Sequence, residues 1–465
     1  MASLRITQEQ FESLKSHLFP GDSLEAVALA SCGRFCHKGH DYLLINEVLL
    51  IPHALCERKT DYVKWPTGFT DDFLEKSAQQ GYGIVKFHSH PGYYKQFSKI
   101  DDRSDKAFFD AVYGWSDDKN PHASVVMLPN GEMFGRTISY DLGFAEIKRV
   151  SVIGRDLKFF DRKPQSIDEE VSLRDIQAFG HGTVSTLSNL KVAVVGCSGT
   201  GSPLLEQLYR LNVGNINITD HDSMETKNLN RIYGSKRAHT QIDTKKVSMM
   251  KEHLDEIELD VEVTVFDENL FYSLPAIREV MSSDFIFGCV DKVDAKQLLN
   301  HISTYYLVPY IDIGVKLKSD GEGGIEEISG ALNYVCPGGP SMMSRKAYSM
   351  EMLEADALNR VDPETYRARR KEGYMIDVDN PSPAVISVNT LVAALGVNEM
   401  LARIHNFRYS GNEDFDTTMI SLTEWDIFHT HDKSQDKYLN RFIGKGDTKP
   451  LLGMAELNRF NDDLG

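Results

Sequence analysis

Residues 190–202 read LKVAVVGCSGTGS, and residues 203–214 continue as PLLEQLYRLNVG. The first part is an apolar run without polar alternation, which is how a strand buried on both faces reads. It breaks at Gly196, Gly199 and Gly201 into a loop, after which the apolar spacing becomes that of a helix. A strand, glycine loop and helix in this order turn backbone N–H groups and a helix N-terminus toward one point, where phosphate is received. INITDHD (216–222) is a second short apolar strand, and Asp220 and Asp222 at its end stand where an acidic residue reaches a ribose. DFIFGCVD (284–291) and VPYIDIGV (308–315) continue the series. Apolar strands separated by helical segments predict a Rossmann-like, doubly wound parallel α/β sheet.

N-terminal to this region the pattern differs. LEAVALAS (24–31), YLLINEVLLIP (42–52), YGIVKFHSHP (82–91) and ASVVMLPNG (123–131) are short strands ending in turn-forming residues, with helical segments between them. They predict a separate mixed α/β domain. The charged, weakly patterned RDLKFFDRKPQSIDEEVS (155–172) reads as a linker. A chain of 465 residues exceeds one ordinary core. The expected layout is therefore a first domain over 1–150, a linker and N-terminal helix of the second domain over 151–185, a second domain over 186–425, and a C-terminal tail over 426–465. There is no internal repeat or low-complexity segment.

Composition narrows the function classes. The chain is 41% hydrophobic and 26% charged, as globular proteins are. No apolar run approaches membrane-spanning length, and the N-terminus lacks the order of a signal peptide. A net charge of −17 argues against broad binding to a nucleic-acid backbone. The six cysteines show no framework spacing, so a reducing cytoplasm is expected.

His88-Ser89-His90-Pro91 is followed by Ser98 and Asp101. Histidines at i and i+2 of an extended segment share a face, and a carboxylate one loop later completes three ligands. Two His and one Asp with a fourth position open are the donor set of a catalytic zinc site. Glu47, in an apolar strand, is the expected general base and acid, because a lone carboxylate there needs a task or a partner. Ser98 is the expected donor to an oxyanion.

In the second half the glycine loop is followed by Asn228, Arg231, Lys245-Lys246 and Asp291. A nicotinamide site has no need of that cluster. An ATP site forming an acyl-adenylate does, since Arg and Lys neutralise phosphate charge and an Asp holds magnesium.

Glu47, His88-Ser89-His90-Pro91, Ser98 with seven residues between it and His90, and Asp101 with two residues between it and Ser98 resemble the JAMM/MPN signature of zinc isopeptidases, a cytidine-deaminase-like mixed α/β fold. The resemblance covers about 125 residues. It implies His88, His90 and Asp101 as zinc ligands, Glu47 as base and Ser98 as oxyanion helper. From about Arg174 to Leu401 the chain resembles the ThiF/MoeB/ubiquitin-activating superfamily. That implies Gly196, Gly199 and Gly201 as the phosphate loop and Asp220 and Asp222 on the ribose side. It further implies Asn228, Arg231 and Lys246 on the phosphates and Asp291 at magnesium, with Lys245 able to exchange places with Lys246. Arg174, in Leu173-Arg174-Asp175-Ile176, resembles the arginine that homodimeric members send into the partner's ATP site, and a symmetric dimer follows if it does the same. Asn380-Pro381-Ser382 through Asn389 and the helix after it resemble the family's final core helix. Gly444-Lys445-Gly446-Asp447 and the residues after it resemble the ends of bacterial fusions of these two domains.

One departure from the family matters. Ubiquitin-activating enzymes use a cysteine beyond the adenylation core, and no cysteine follows Pro337. Either Cys336 carries a thioester or the reaction stops at the adenylate. The expected function is bifunctional, in a bacterial ubiquitin-like pathway. It combines ATP- and magnesium-dependent C-terminal adenylation of a ubiquitin-like protein ending in Gly with zinc-dependent peptide or isopeptide hydrolysis. An E2-like conjugating protein is a possible further partner. The competing readings are sulfur-carrier activation with tail trimming, adenylation of a short peptide, and a non-enzymatic nucleotide- and zinc-binding adaptor.

Overall fold

The computed structural model describes residues 1–115, 118–163, 166–376, 383–432 and 434–463. Asn380-Pro381-Ser382 lies outside the described residues. The chain forms two compact units. One comprises Met1–Lys163, Tyr305–Leu307 and Arg441–Gly465, and the other Pro164–Thr304 and Val308–Asn440.

In the first unit, β1 (Ala2–Thr7), α1 (Gln8–Leu18), β2 (Val27–His37) and β3 (His40–Leu50) precede a small hairpin of β4 (Glu57–Lys59) and β5 (Tyr62–Lys64). Then come α2 (Asp71–Gln79), β6 (Gly83–Ser89), α3 (Lys99–Tyr113), β7 (His122–Met127), β8 (Met133–Ile138), β9 (Phe144–Ile153) and β10 (Lys158–Asp161). The strand order is β1-β3-β2-β6-β7-β8-β9-β10, and β1 also pairs with β9. Seven strands thus close on themselves, and β10 adds to β9. Closure removes the exposed edges an open sheet would carry. Side chains alternate across the ring. Ala28, Ala30, Val85 and Phe87 pack in one core with Phe11, Leu14 and Leu18 of α1. Val27, Leu29 and Ile84 face the other way, onto Phe73 and Leu74 of α2 and Phe109 and Val112 of α3. That alternation places the even-numbered residues 84, 86 and 88 of β6 on the α3 side.

The segment expected as a tail is divided between the units. Arg441–Gly465 lies with the first, where Gly33 N donates to Gly444 O at 3.1 Å and Asn46 Nδ2 to Ile443 O at 2.6 Å. A β-carbon on Gly33 would fall 2.3 Å from Gly444 O, so only glycine admits this approach.

The second unit begins with α4 (Leu173–Asn189), broken at Gly180, and β11 (Lys191–Val195). There follow α5 (Gly201–Arg210), β12 (Asn215–Thr219), α6 (Lys246–Asp255), β13 (Glu262–Phe266), α7 (Leu274–Met281), β14 (Phe285–Gly288) and α8 (Val293–Tyr306). The rest is β15 (Tyr310–Ser319), β16 (Ile325–Val335), α9 (Met350–Val361), α10 (Pro363–Lys371), α11 (Ile386–Ile404), β17 (Thr417–Ser421) and β18 (Asp426–Thr430). The sheet order is β13-β12-β11-β14-β15-β16-β17-β18. Strands β13 to β15 are parallel neighbours, and β15 to β18 are antiparallel. The doubly wound half was expected. Its antiparallel extension through β18 was not, because β18 falls in the expected tail and its five residues are all exposed, leaving no burial pattern to read.

Candidate functional sites

The chain after β11 turns at Gly196, whose φ is +98°. β11 lies between β12 and β14, so the crevice beyond the strand ends at β11 and β14 is the topological switch point. Three close approaches explain the glycine spacing. An ideal β-carbon would lie 2.4 Å from Cys289 O at Gly196, 2.4 Å from Asn389 Nδ2 at Gly199, and 2.0 Å from Gly196 O at Gly201. The loop beyond β14 therefore touches the glycine loop through backbone.

Asp220 fixes this loop, since its Oδ2 accepts from Cys197 N at 2.7 Å and its Oδ1 from Asp222 N at 2.9 Å. Lys246, buried at the start of α6, donates from Nζ to Asp222 Oδ2 at 2.7 Å. Burial opposes ionisation of Asp222, but Lys246 outweighs it and holds the carboxyl below its ordinary range. Lys245, half-buried, donates to His221 O at 2.9 Å, so the structure brings Lys246, the inward-facing lysine, to Asp222. Asn228 is buried and its side chain accepts from Glu225 N at 3.0 Å, shaping the turn that carries Arg231. Arg231 Cδ lies 3.4 Å from where a Gly199 β-carbon would be, and its Nη1 donates to Lys227 O at 2.6 Å. Asp291 is exposed beyond the end of β14. A magnesium ion keeps several waters and takes one or two carboxylates, which one such exposed group at the switch point can provide.

Two expected residues stand apart from this cluster. Arg174 is exposed on the first part of α4 and donates to Gln177 Oε1 at 2.9 Å. Cys336 follows β16, where Val335 pairs with Tyr310 and Tyr310 with Ile286. Gly288, at the loop end, pairs with Asp312. Cys336 thus sits at the opposite end of the sheet from the nucleotide loop, displaced by about 10 Å along the strands. Cys197 and Cys289 lie by the loop, but burial pushes both thiols well above their ordinary value.

In the first unit, His88 Nε2 lies 3.1 Å from Asp101 Oδ1 and 3.2 Å from His90 Nε2, and His90 Nε2 lies 3.5 Å from Asp101 Oδ2. All three residues are buried. A tetrahedral ion with bonds of about 2.0–2.1 Å separates its ligands by about 3.3–3.4 Å, so these donors fit zinc. His90 Nδ1 donates to Tyr94 O at 2.8 Å, which leaves Nε2 as the ligand atom of the neutral ring. His88 Nδ1 is buried without a hydrogen-bond partner among the described residues. Burial lowers the His88 pKa, with Lys86 adding to it, and so favours the neutral, ligating form.

The spacing of Ser98 and Asp101 is that of a helix start. Ser98 caps α3, its Oγ accepting from Asp101 N at 3.1 Å while Ser98 N donates to Asp101 Oδ2 at 2.6 Å. Burial opposes ionisation of Asp101, but hydrogen bonds with His88 and His90 hold it well below the carboxylate range. Since Ser98 Oγ accepts in this box, its proton remains to be donated.

The structure separates Glu47 from this cluster. Its side chain is about half exposed and pairs with Lys76 Nζ at 2.6 Å. The carboxylate near the histidines is Glu25, which the sequence reading passed over. It is 6% exposed. Its pKa is pushed up to about 8 by burial, with Asp101 and Asp61 adding and His90 and Lys86 opposing. The signal was available in LEAVALAS, an acidic residue placed directly before the apolar run AVALA.

Comparison with known proteins places the second unit. The ThiF family model matches residues 172–437. SUMO-activating enzyme subunit 2 of Dictyostelium discoideum is 28% identical over 139 residues, 30% of this chain and 21% of that protein. tRNA threonylcarbamoyladenosine dehydratase 2 of Saccharomyces cerevisiae is 29% identical over 150 residues, 31% of this chain and 33% of that one. Adenylyltransferase and sulfurtransferase UBA4 of Meyerozyma guilliermondii is 26% identical over 150 residues, covering 32% and 34%. The chain thus spans about a fifth to a third of the length of these curated relatives. A solved structure of the microcin C7 biosynthetic enzyme MccB with N-formylated MccA matches 58% of this chain and 74% of that one, with a TM-score of 0.46 at 16% identity. With a family match over more than half of its length, on a doubly wound sheet with a glycine loop at the switch point, this chain belongs to the ThiF family.

Proposed function

We propose that the chain adenylates the C-terminal carboxylate of a ubiquitin-like or sulfur-carrier-like protein with ATP and magnesium. Its first unit, on this reading, is a zinc peptidase or isopeptidase of the JAMM/MPN type acting on the same kind of tail. The observation that carries the reading is that one chain holds two side-chain clusters suited to these two chemistries. A glycine loop with Asp220, Lys246 and Arg231 lies in a ThiF-family sheet, and His88, His90, Asp101 and Glu25 meet in the other unit. Relatives named for SUMO activation and for adenylyltransferase and sulfurtransferase activity support the substrate class. A net charge of −17 weighs against a nucleic-acid substrate.

In the second unit the substrate carboxylate attacks the α-phosphorus of ATP and pyrophosphate leaves. Lys246 and Arg231 offset the charge that builds on the phosphates, Asp220 holds the loop, and Asp291 would hold the magnesium ion. The position of Cys336 favours an enzyme that stops at the adenylate and passes it to a nucleophile on another protein, such as an E2-like carrier or a sulfur donor. Arg174, exposed on α4, is the residue a symmetric partner would receive.

In the first unit, zinc held by His88, His90 and Asp101 would supply an electrophile and lower the pKa of water toward neutrality. Glu25 takes the proton from the attacking water and returns it to the leaving amine. The Ser98 hydroxyl donates to the oxyanion.

The test pairs ATP–pyrophosphate exchange, using ubiquitin-like proteins ending in Gly, with zinc-dependent cleavage of fusions at that Gly. Exchange and cleavage are both expected, and absence of both refutes the reading. A thiocarboxylate product in the presence of a sulfur donor would identify the sulfur-carrier branch.

A further inference from the structure

The first turn of α11 brings a polar side chain to the glycine loop that none of the motif residues accounts for. Asn389 is 2% exposed, and its Nδ2 has no hydrogen-bond partner among the described residues. That nitrogen lies over Gly199, 2.4 Å from where a β-carbon would be, with the Arg231 stem beside it. The placement is held from several sides. Asn389 N donates to Val385 O at 3.1 Å, Thr390 Oγ1 shares a hydrogen bond with Tyr233 Oη at 3.2 Å, and Tyr233 N donates to Ser202 Oγ at 3.1 Å. α11 and α5 pack together, with Gly396 against Leu204 and Ile313.

A buried amide donor left without an acceptor is costly, and one that lies over a phosphate-type glycine loop is placed to be completed by a ligand atom. The side chains around this loop with groups to spare, Arg231 and Lys246, are cations, so an acceptor arriving here is anionic. We infer that Asn389 donates from Nδ2 to a phosphate oxygen of bound ATP, making α11 a wall of the nucleotide site. This rests on the nucleotide reading of the Gly196–Gly201 loop. A carboxylate oxygen of the acyl substrate has the same chemistry, and binding without that substrate separates the two.

The experiment is calorimetric titration of the full chain, with magnesium, by ATP and by adenosine, for wild type, Asn389→Asp and Asn389→Leu. Asn389→Asp replaces a donor by an anion of the same size, and ATP affinity is expected to fall at least thirtyfold while adenosine affinity stays within about threefold. Asn389→Leu removes a donor that has no partner among the described residues. Its ligand-free melting temperature is expected to equal or exceed that of wild type, while the rise induced by ATP shrinks. The inference is overturned if ATP affinity stays within twofold of wild type in both variants, or if ATP and adenosine weaken equally. It is also overturned if only exchange with the acyl substrate falls, which would assign the amide to the carboxylate. Should Asn389→Asp not fold, the Leu variant decides by the same two melting measurements. A wild type that binds no ATP would refute the nucleotide reading itself.

Discussion

Glu25 stands across the β2–β6 ladder from His90. Val27 pairs with His88, and Ser89 N donates to Ala26 O at 3.1 Å while Ala26 N donates to Ser89 Oγ at 2.9 Å. The next position in that register brings Glu25 level with His90, and each side chain perturbs the other's pKa. The turn before Glu25 is fastened by Arg58, which donates to Glu25 O at 2.8 Å and to both oxygens of Asp22 at 2.7 and 3.1 Å.

Glu25→Gln is therefore expected to lower cleavage of a tail fusion by about 10²–10⁴-fold, the range general acid–base catalysis supplies, with zinc content unchanged. Glu47→Gln, whose carboxylate pairs with exposed Lys76, is expected to stay within about threefold of wild type. Metal analysis and initial rates on both variants decide it, and the opposite order of effects would return the base to Glu47.

The same carboxyl makes the zinc-free protein sensitive to pH. A pKa raised from 4.5 to about 8 means that the fold favours neutral Glu25 more than the unfolded chain does. The resulting stabilisation is complete below about pH 4.5 and is lost as pH rises toward 8. Each pKa unit corresponds to about 1.4 kcal/mol, and solvent relaxation retains only part of the shift. In chelator-treated protein, Glu25→Gln should change stability little near pH 4.5 and raise it by about 1–3 kcal/mol at pH 8. Denaturant melts at both pH values test this, and a loss of stability at both would make Glu25 a structural group.

At the nucleotide loop, Gly201→Ala sets a β-carbon against Gly196 O, where backbone cannot yield. It should cost about 1–3 kcal/mol of stability and abolish ATP binding. Lys246→Ala should leave folding intact and lower pyrophosphate exchange by about 10²–10³-fold. Melting curves and exchange rates on the pair separate loop shape from charge, and full exchange in Lys246→Ala would remove that lysine from the site.

Cys336→Ala is expected to leave pyrophosphate exchange within twofold and to remove no covalent product. Non-reducing gels with ATP and a ubiquitin-like protein are the check. A reductant-sensitive band lost in the variant would show that the sheet rearranges enough to bring the two ends together.

What could be read from sequence was what local rules determine. An unalternated apolar strand before a glycine loop specifies a buried parallel strand and a phosphate turn, because both follow from backbone sterics over a few residues. Ser98 and Asp101 were singled out by their motif spacing after the histidines, and that this spacing is also a helix-capping box is what the structure adds. The alternation that puts His88 and His90 on one face is likewise a property of a single strand. Closure of the first sheet by β1 and β9, the docking of residues 443–447 on β2 and β3, and the opposite-end position of Cys336 are matters of which distant strands pair, and in what register. The choice between Glu25 and Glu47 was of that kind too. Both are lone carboxylates next to apolar strands, and only the β2–β6 register buries one beside the histidines and leaves the other to Lys76. Asn389 belongs with them. Its composition and spacing mark an ordinary helix start, and it faces the nucleotide loop only because α11 packs on α5, a contact that sequence periodicity permits but only the folded core selects.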